Sequence, residues 1–137
     1  MNVWATRSFK SRRKTESHWL RLREITLRER SDWKRAVAEV QRTYPGTEGW
    51  LMSCSASEGG WGRWVPNSQG SGVGGWLQFY PSTFWRMYSA AKEDVTARGF
   101  IVPASASSWY SPLGQALAGA WGVTHGRKHE WVGHGCR

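Results

Sequence analysis

The side chains able to do chemistry reduce, by elimination, to one carboxylate. His125, His129, His134 and Cys136 cluster near the end of the chain. The spacing of four between His125 and His129 suits a metal-binding helix face. Gly126 falls between them, however, and no glutamate completes an HExxH pattern. Exposed histidines near a basic terminus are the expectation, with no metal and no cofactor. The serines offer no GxSxG elbow. The glycine run Gly70-Ser71-Gly72-Val73-Gly74-Gly75 lacks the Gly-Lys-Ser/Thr ending of a phosphate loop. Glu58 remains.

Glu58 stands four residues after Cys54 and eight after Trp50, offsets that keep it near the apolar side of a helix. It also closes that helix, where the dipole disfavours a charged carboxylate. Burial beside tryptophans would disfavour the charge further. Both effects raise a carboxyl pKa, which is what a general acid needs to protonate a glycosidic oxygen near neutral pH. An exposed glutamate with no role has the same spacing, so the residues alone leave both readings open.

Several elements must position this group. Met1–Lys14 carries Arg7, Lys10, Arg12, Arg13 and Lys14 and reads as a basic arm. Residues 15–44 read as helical: first a cluster of Trp19, Leu20, Leu22, Ile25 and Leu27, then a run capped by Ser31. In that run Trp33, Ala36, Val37, Val40 and Tyr44 recur at helical spacing. Pro45-Gly46 ends it. Thr47 caps the next helix, from Glu48 to about Glu58, which Gly59-Gly60 stops. Residues 59–76 form a Gly-rich loop holding Trp61, Trp64 and Trp76, with room for a small β element. Pro81-Ser82 opens a helix through Phe84, Trp85, Met87, Tyr88 and Ala91, with Glu93 and Asp94 placed after it. A serine-rich loop over 99–110 follows. Ser111-Pro112 starts a last helix as cap and first helical residue, and Gly126 ends it.

The 137 residues fit one small domain-sized unit with a core. Eleven tryptophans exceed what a small core needs, and indole faces stack on sugar rings and on nucleobases alike. The net charge of +9 is uneven: residues 1–45 carry +7 and the remainder +2. A basic third favours anionic partners such as nucleic acid, anionic lipid or an anionic wall; a solvated helix face has the same composition. No apolar run reaches 18 residues, so no membrane span is expected. The two cysteines, Cys54 and Cys136, permit one disulfide or two reduced thiols.

The stretch Trp50-Leu-Met-Ser-Cys54-Ser-Ala-Ser-Glu58-Gly59-Gly60-Trp61 resembles the catalytic helix of transglycosylase-like and resuscitation-promoting-factor domains. Gly74-Gly75-Trp76-Leu77-Gln78-Phe79-Tyr80-Pro81-Ser82-Thr83-Phe84 is similar to the glycine–aromatic–Gln-Phe–x–Pro-Ser-Thr-Trp segment of that family. Ser111-Pro112-Leu113-Gly114-Gln115-Ala116-Leu117-Ala118 and Trp131 to Cys136 resemble its closing helix and Trp–x–Cys ending. The blocks occur in the family's order over residues 47–137. Cys54 lies one helical turn before Glu58, where many relatives place it directly before. Trp76 is an extra residue in the glycine–Leu-Gln pattern, and Phe84 replaces the usual Trp.

The resemblance implies a mainly α, lysozyme-like α+β fold with a groove flanked by the Gly-rich segment. It implies a division into a basic arm and helices over 1–46 and a transglycosylase domain over 47–137. It assigns Glu58 as catalytic acid, a Cys54–Cys136 disulfide, and Gln78 and Thr83 as residues facing or supporting the groove, with Trp61, Trp64 and Trp76 lining it. Gln115 is expected to be structural support, Gln78 equally fits a turn-holding role, and Thr83 an extension of the Ser82 cap. The expected activity is cleavage of the MurNAc–GlcNAc β-1,4 bond of peptidoglycan. Two-carboxylate glycosidases need a second acid nearby, and no Asp or Glu occurs from residue 59 to 92. That favours a lytic transglycosylase with a 1,6-anhydro product over a hydrolysing lysozyme.

Two other classes compete: a non-catalytic cell-wall-binding module on the same fold, and a basic nucleic-acid-binding protein. The second fits poorly, because most of the tryptophans and Glu58 lie in the nearly neutral part. Residues 1–46 are then expected to dock on an anionic wall or on phage virion components. The resemblance implies an extracellular or wall setting; Met1–Lys14 lacks the apolar run of a secretory signal, so the expectation is a signal already removed or another way out of the cell, such as a virion-borne lysin.

Overall fold

A computed structural model describes residues 20–26, 31–57, 72 and 74–128. It is mainly helical. Helix α1 spans Asp32–Val40, α2 Glu48–Ser57, α3 Pro81–Ala97 and α4 Pro112–Thr124, with a 3-10 turn at Ala104–Ala106 before α4. Among the described residues the only β pairings are isolated bridges, Arg21 with Ile101 and Gly74 with Phe79. No helix among them is long and apolar enough to cross a membrane.

Helix α4 is the centre. Every residue from Pro112 to Ala120 is buried, the pattern of a helix surrounded by protein. Its residues are small, and that lets neighbours approach. A Cβ on Gly114 would overlap the Ala106 carbonyl, and one on Gly119 would overlap Leu77 and press on Leu51. Helices α1, α2 and α3 all pack against α4. Its start follows the sequence expectation: the Ser111 hydroxyl accepts the Gly114 N–H at 3.0 Å and Pro112 is the first helical residue. Its end does too, with Gly126 left-handed at φ +76°.

Helix α1 buries Trp33, Ala36, Val37 and Val40, the stripe its spacing predicts. Ser31 holds the cap position, but its side chain makes no cap hydrogen bond. Thr47 precedes α2 with its carbonyl accepting from Leu51 N at 3.0 Å. Its hydroxyl donates to the Tyr44 carbonyl and accepts from the Gln41 amide, so the side chain ties the turn to α1.

Two expectations are corrected. Residues 20–26 are not helical. Leu22 N donates to the Ile101 carbonyl at 2.9 Å, Arg23 N to Glu39 Oε2 at 2.6 Å, and Arg42 Nη1 to the Arg21 carbonyl at 2.9 Å. These partners satisfy the backbone in place of helical bonds, while Leu22 and Ile25 enter the core. Leu22 to Tyr44 and Leu51 to Ala120 contribute to one hydrophobic core, so described residues on both sides of position 46 pack together. Glu93 and Asp94 lie inside α3, which continues to Ala97 before Gly99, at φ +95°, ends the turn.

Candidate active site

The resemblance points to the junction of α2, the segment around Gln78, and α4. Helix α2 ends at Ser57, directly before Glu58 in the chain. Leu51 and Cys54 face the core at 0% and 1% exposure. The buried Ser55 hydroxyl accepts Trp33 Nε1–H at 2.9 Å and donates to the Met52 carbonyl at 2.9 Å. Cys54 is disulfide-bonded. Its expected partner Cys136, together with Glu58, Trp61 and Trp64, lies outside the described residues.

The second segment is a tight turn. Gly74 and Phe79 exchange both backbone hydrogen bonds at 3.0 Å, and residues 75–78 form the turn between them. Two residues adopt left-handed conformations: Gly75 at φ +86° and Gln78 at φ +52°. Gln78 is half-buried and its Nε2 donates to the Gly75 carbonyl at 2.7 Å. The amide thus closes the turn that its own backbone makes, which is the turn-holding role. Thr83 is half-buried in the first turn of α3.

Gln115 holds this turn from below. Its side chain is fully buried. Nε2 donates to the Trp109 carbonyl at 2.8 Å and to the Gly74 carbonyl at 3.4 Å, and Oε1 accepts from Leu77 N at 3.4 Å. A Cβ on Gly75 would overlap the Gln115 carboxamide, so glycine there provides both the φ and the space. Trp109 Nε1 completes the support by donating to the Phe79 carbonyl at 3.2 Å. Trp109 was not singled out by the sequence reading. The available signal was that an indole N–H in a loop needs an acceptor once it is partly buried.

Trp76 is corrected. It is fully buried and stacks on Trp33 with centroids 5.2 Å apart and planes 3° from parallel. Both faces of its ring belong to the core side of the turn, and it offers no platform to a sugar. In this turn Gln78 is half-buried while its neighbours Trp76, Leu77 and Phe79 are buried. Among the described residues the exposed aromatic rings are instead Tyr80, Trp85 and Tyr110.

The described carboxylates near the core are engaged. Asp32 pairs with Arg35 at 3.0 Å and Glu39 with Arg42 at 2.7 Å. Asp94 accepts the Tyr44 hydroxyl at 2.7 Å and the Arg98 guanidinium at 3.0 Å. The tyrosine hydrogen bond is the main cause that lowers the Asp94 pKa, with Arg98 adding to it. Burial, then the Asp94 hydrogen bond and charge, push the Tyr44 hydroxyl well above its usual value. Among the described residues no group of three or more His, Cys, Asp or Glu side chains is placed to hold a metal ion.

No family model, curated protein or solved structure matches the chain.

Proposed function

We propose that the chain is a muralytic enzyme on a lysozyme-like fold, cleaving the MurNAc–GlcNAc β-1,4 bond with Glu58 as acid and then base. The carrying observation is the meeting of the three sequence blocks at Gly119. Leu51 of α2 and Leu77 of the Gln78 turn both close on this one residue of α4. Helix α2, whose chain leads into Glu58, and the turn that carries Gln78 therefore both pack on α4.

The chemistry assigned to Glu58 needs one carboxyl group. As an acid it gives its proton to the glycosidic oxygen while the C1–O bond of the muramic sugar breaks. The substrate's own N-acetyl oxygen shares the positive charge left at C1. The carboxylate then removes the proton from the muramic 6-hydroxyl as that oxygen bonds to C1. The acid is regenerated and a 1,6-anhydro end forms. No Asp or Glu occurs from residue 59 to 92, and Asp94, one of the two carboxylates of α3, is committed to Tyr44 and Arg98; both favour the single-carboxylate route. In this reading the basic segment before α1 meets an anionic wall or a virion component, and the protein acts outside the cytoplasm.

Purified peptidoglycan is incubated with the protein and with Glu58→Gln, and released fragments are weighed by mass spectrometry. Fragments ending in 1,6-anhydro-muramic acid, absent with the variant, support the proposal. Reducing-end products lost with the variant establish hydrolysis instead. Equal release by both proteins, or none by either across several wall types, overturns it.

A further inference from the structure

Phe79 closes the Gln78 turn, and its carbonyl oxygen takes two donors. Gly74 N–H reaches it at 3.0 Å from within the turn, and Trp109 Nε1–H at 3.2 Å from a loop 30 residues further along the chain. A carbonyl oxygen has two acceptor sites, and here the two bonds do different things. The first closes the turn. The second fixes where the closed turn sits on the rest of the protein. We propose that Trp109 is a positioning residue for substrate binding, holding the Gln78 turn where that turn forms one wall of the proposed substrate groove. The inference rests on the proposed muralytic function and adds to it a residue that lies outside all the blocks of the resemblance.

The mounting of Trp109 suits it to this task. The loop that carries it lies directly on the first turn of α4: a Cβ on Gly114 would overlap the Ala106 carbonyl and stand 3.2 Å from the Ser108 carbonyl. Ser111 N donates to the Ser108 carbonyl at 3.0 Å, and Tyr110 N donates to the Ser108 hydroxyl at 3.2 Å. The Trp109 carbonyl accepts Gln115 Nε2 at 2.8 Å, and the indole packs partly buried against the core. The backbone is thus tied down on both sides of Trp109 and at Trp109 itself, so its indole N–H is presented in one place.

Gln115 also reaches the turn, but from beneath and through longer bonds, 3.4 Å to the Gly74 carbonyl and 3.4 Å from Leu77 N. The Trp109 bond is only partly buried. Tyr80, which follows Phe79, and Tyr110, which follows Trp109, are both exposed. The bond therefore ties the turn at a point where both of its chain segments come out to solvent, the side from which a substrate arrives.

Trp109→Phe keeps an aromatic ring, leaves the backbone bond to Gln115 in place and removes the indole N–H. Cleavage of solubilised glycan strands is followed for the full-length unsubstituted and variant proteins, with thermal unfolding of both. A positioning role raises KM about fivefold, the factor of one lost hydrogen bond. It leaves kcat within about twofold, as expected when ground state and transition state lose the same contact. Amide hydrogen exchange at Gln78 and Phe79 is expected to quicken while that of Leu117 in α4 stays the same. Trp109→Met, a flexible filler without a strong donor, is carried in parallel and is expected to behave alike. An unchanged KM in both variants overturns the inference. So does a loss of kcat alone that follows a lower unfolding midpoint, because that is a purely structural role. Absence of cleavage by the unsubstituted protein overturns the muralytic reading and this inference with it, whereas cleavage with an unchanged KM in the variants overturns this inference alone.

Discussion

Trp33 and Trp76 lie face to face, 5.2 Å between ring centroids and 3° from parallel. One comes from α1 and the other from the turn that carries Gln78. Trp33 is further fixed by its N–H on the Ser55 hydroxyl. The pair therefore connects the basic N-terminal part, α2 and the candidate site in a single contact.

Truncating either ring should destabilise the whole protein rather than one part of it. Trp33→Ala and Trp76→Ala are each expected to cost about 3–5 kcal/mol, the usual range for emptying a core aromatic site. A single cooperative denaturant transition, shifted to lower midpoint in both variants, is the expected result. Removing residues 1–46 should abolish that transition, since the remaining helices lose Trp33, Val37, Val40 and Tyr44 together. A truncated chain that still melts cooperatively would show that α4 is covered well enough without α1.

Gly75 and Gln115 form a second coupled pair. Gly75→Ala meets two obstacles, a φ of +86° and the Gln115 carboxamide in the space of the new Cβ. Gln115→Ala instead removes the 2.8 Å bond to the Trp109 carbonyl and the longer ones to Leu77 N–H and to the Gly74 carbonyl, which keeps its bond from Phe79 N–H, at about 1–3 kcal/mol in all. Combining the two should cost less than the sum, because the smaller side chain makes room for the added methyl. A double-mutant cycle by chemical denaturation measures this. Strict additivity would mean that φ strain alone governs Gly75.

Where a residue's pattern and its partners agree, the fold was legible in the sequence. The stripe Trp33–Ala36–Val37–Val40, the Ser111-Pro112 start and the Gly126 stop are local features, and each is found as expected. Residues 20–26 were misread because apolar content alone does not separate a helix from an extended segment. Their conformation is decided by Ile101, Glu39 and Arg42, all remote in sequence. Trp76 was misread for a related reason. A tryptophan in a Gly-rich stretch looks like a binding ring until its stacking partner is known, and that partner is on α1. Trp109 gave no local signal either, because its acceptor, the Phe79 carbonyl, is 30 residues away in the chain.

Cys54 is buried and disulfide-bonded, so Cys54→Ser should lower stability by about 2–5 kcal/mol, the usual cost of removing a native bridge from a small domain. The measured quantity is the midpoint of thermal unfolding, with and without reductant. The unsubstituted protein should drop to the level of the variant when reduced, and the variant should not respond. A reductant effect that persists in Cys54→Ser would indicate that the stabilisation has another source.

The Tyr44–Asp94–Arg98 cluster should make stability fall at both ends of the pH scale. Asp94 has a folded-state pKa below its unfolded value, so its contribution is present above the unfolded pKa, near 3.9. It is lost as pH falls from there through the lower folded value, because the unfolded state takes up the proton first. Tyr44 has a folded-state pKa above its unfolded value. Its contribution is present below about pH 10 and is lost as pH rises beyond it, since the unfolded tyrosine ionises first. Tyr44→Phe removes the alkaline loss and one hydrogen bond worth about 1 kcal/mol, and Asp94→Asn removes the acid loss at this site. Unfolding free energies measured from pH 2 to 11 should show the acid limb flattened in Asp94→Asn and both limbs flattened in Tyr44→Phe, because the tyrosine hydroxyl is the main cause of the lowered Asp94 pKa. Limbs that stay unchanged in both variants would place the pH dependence in other groups.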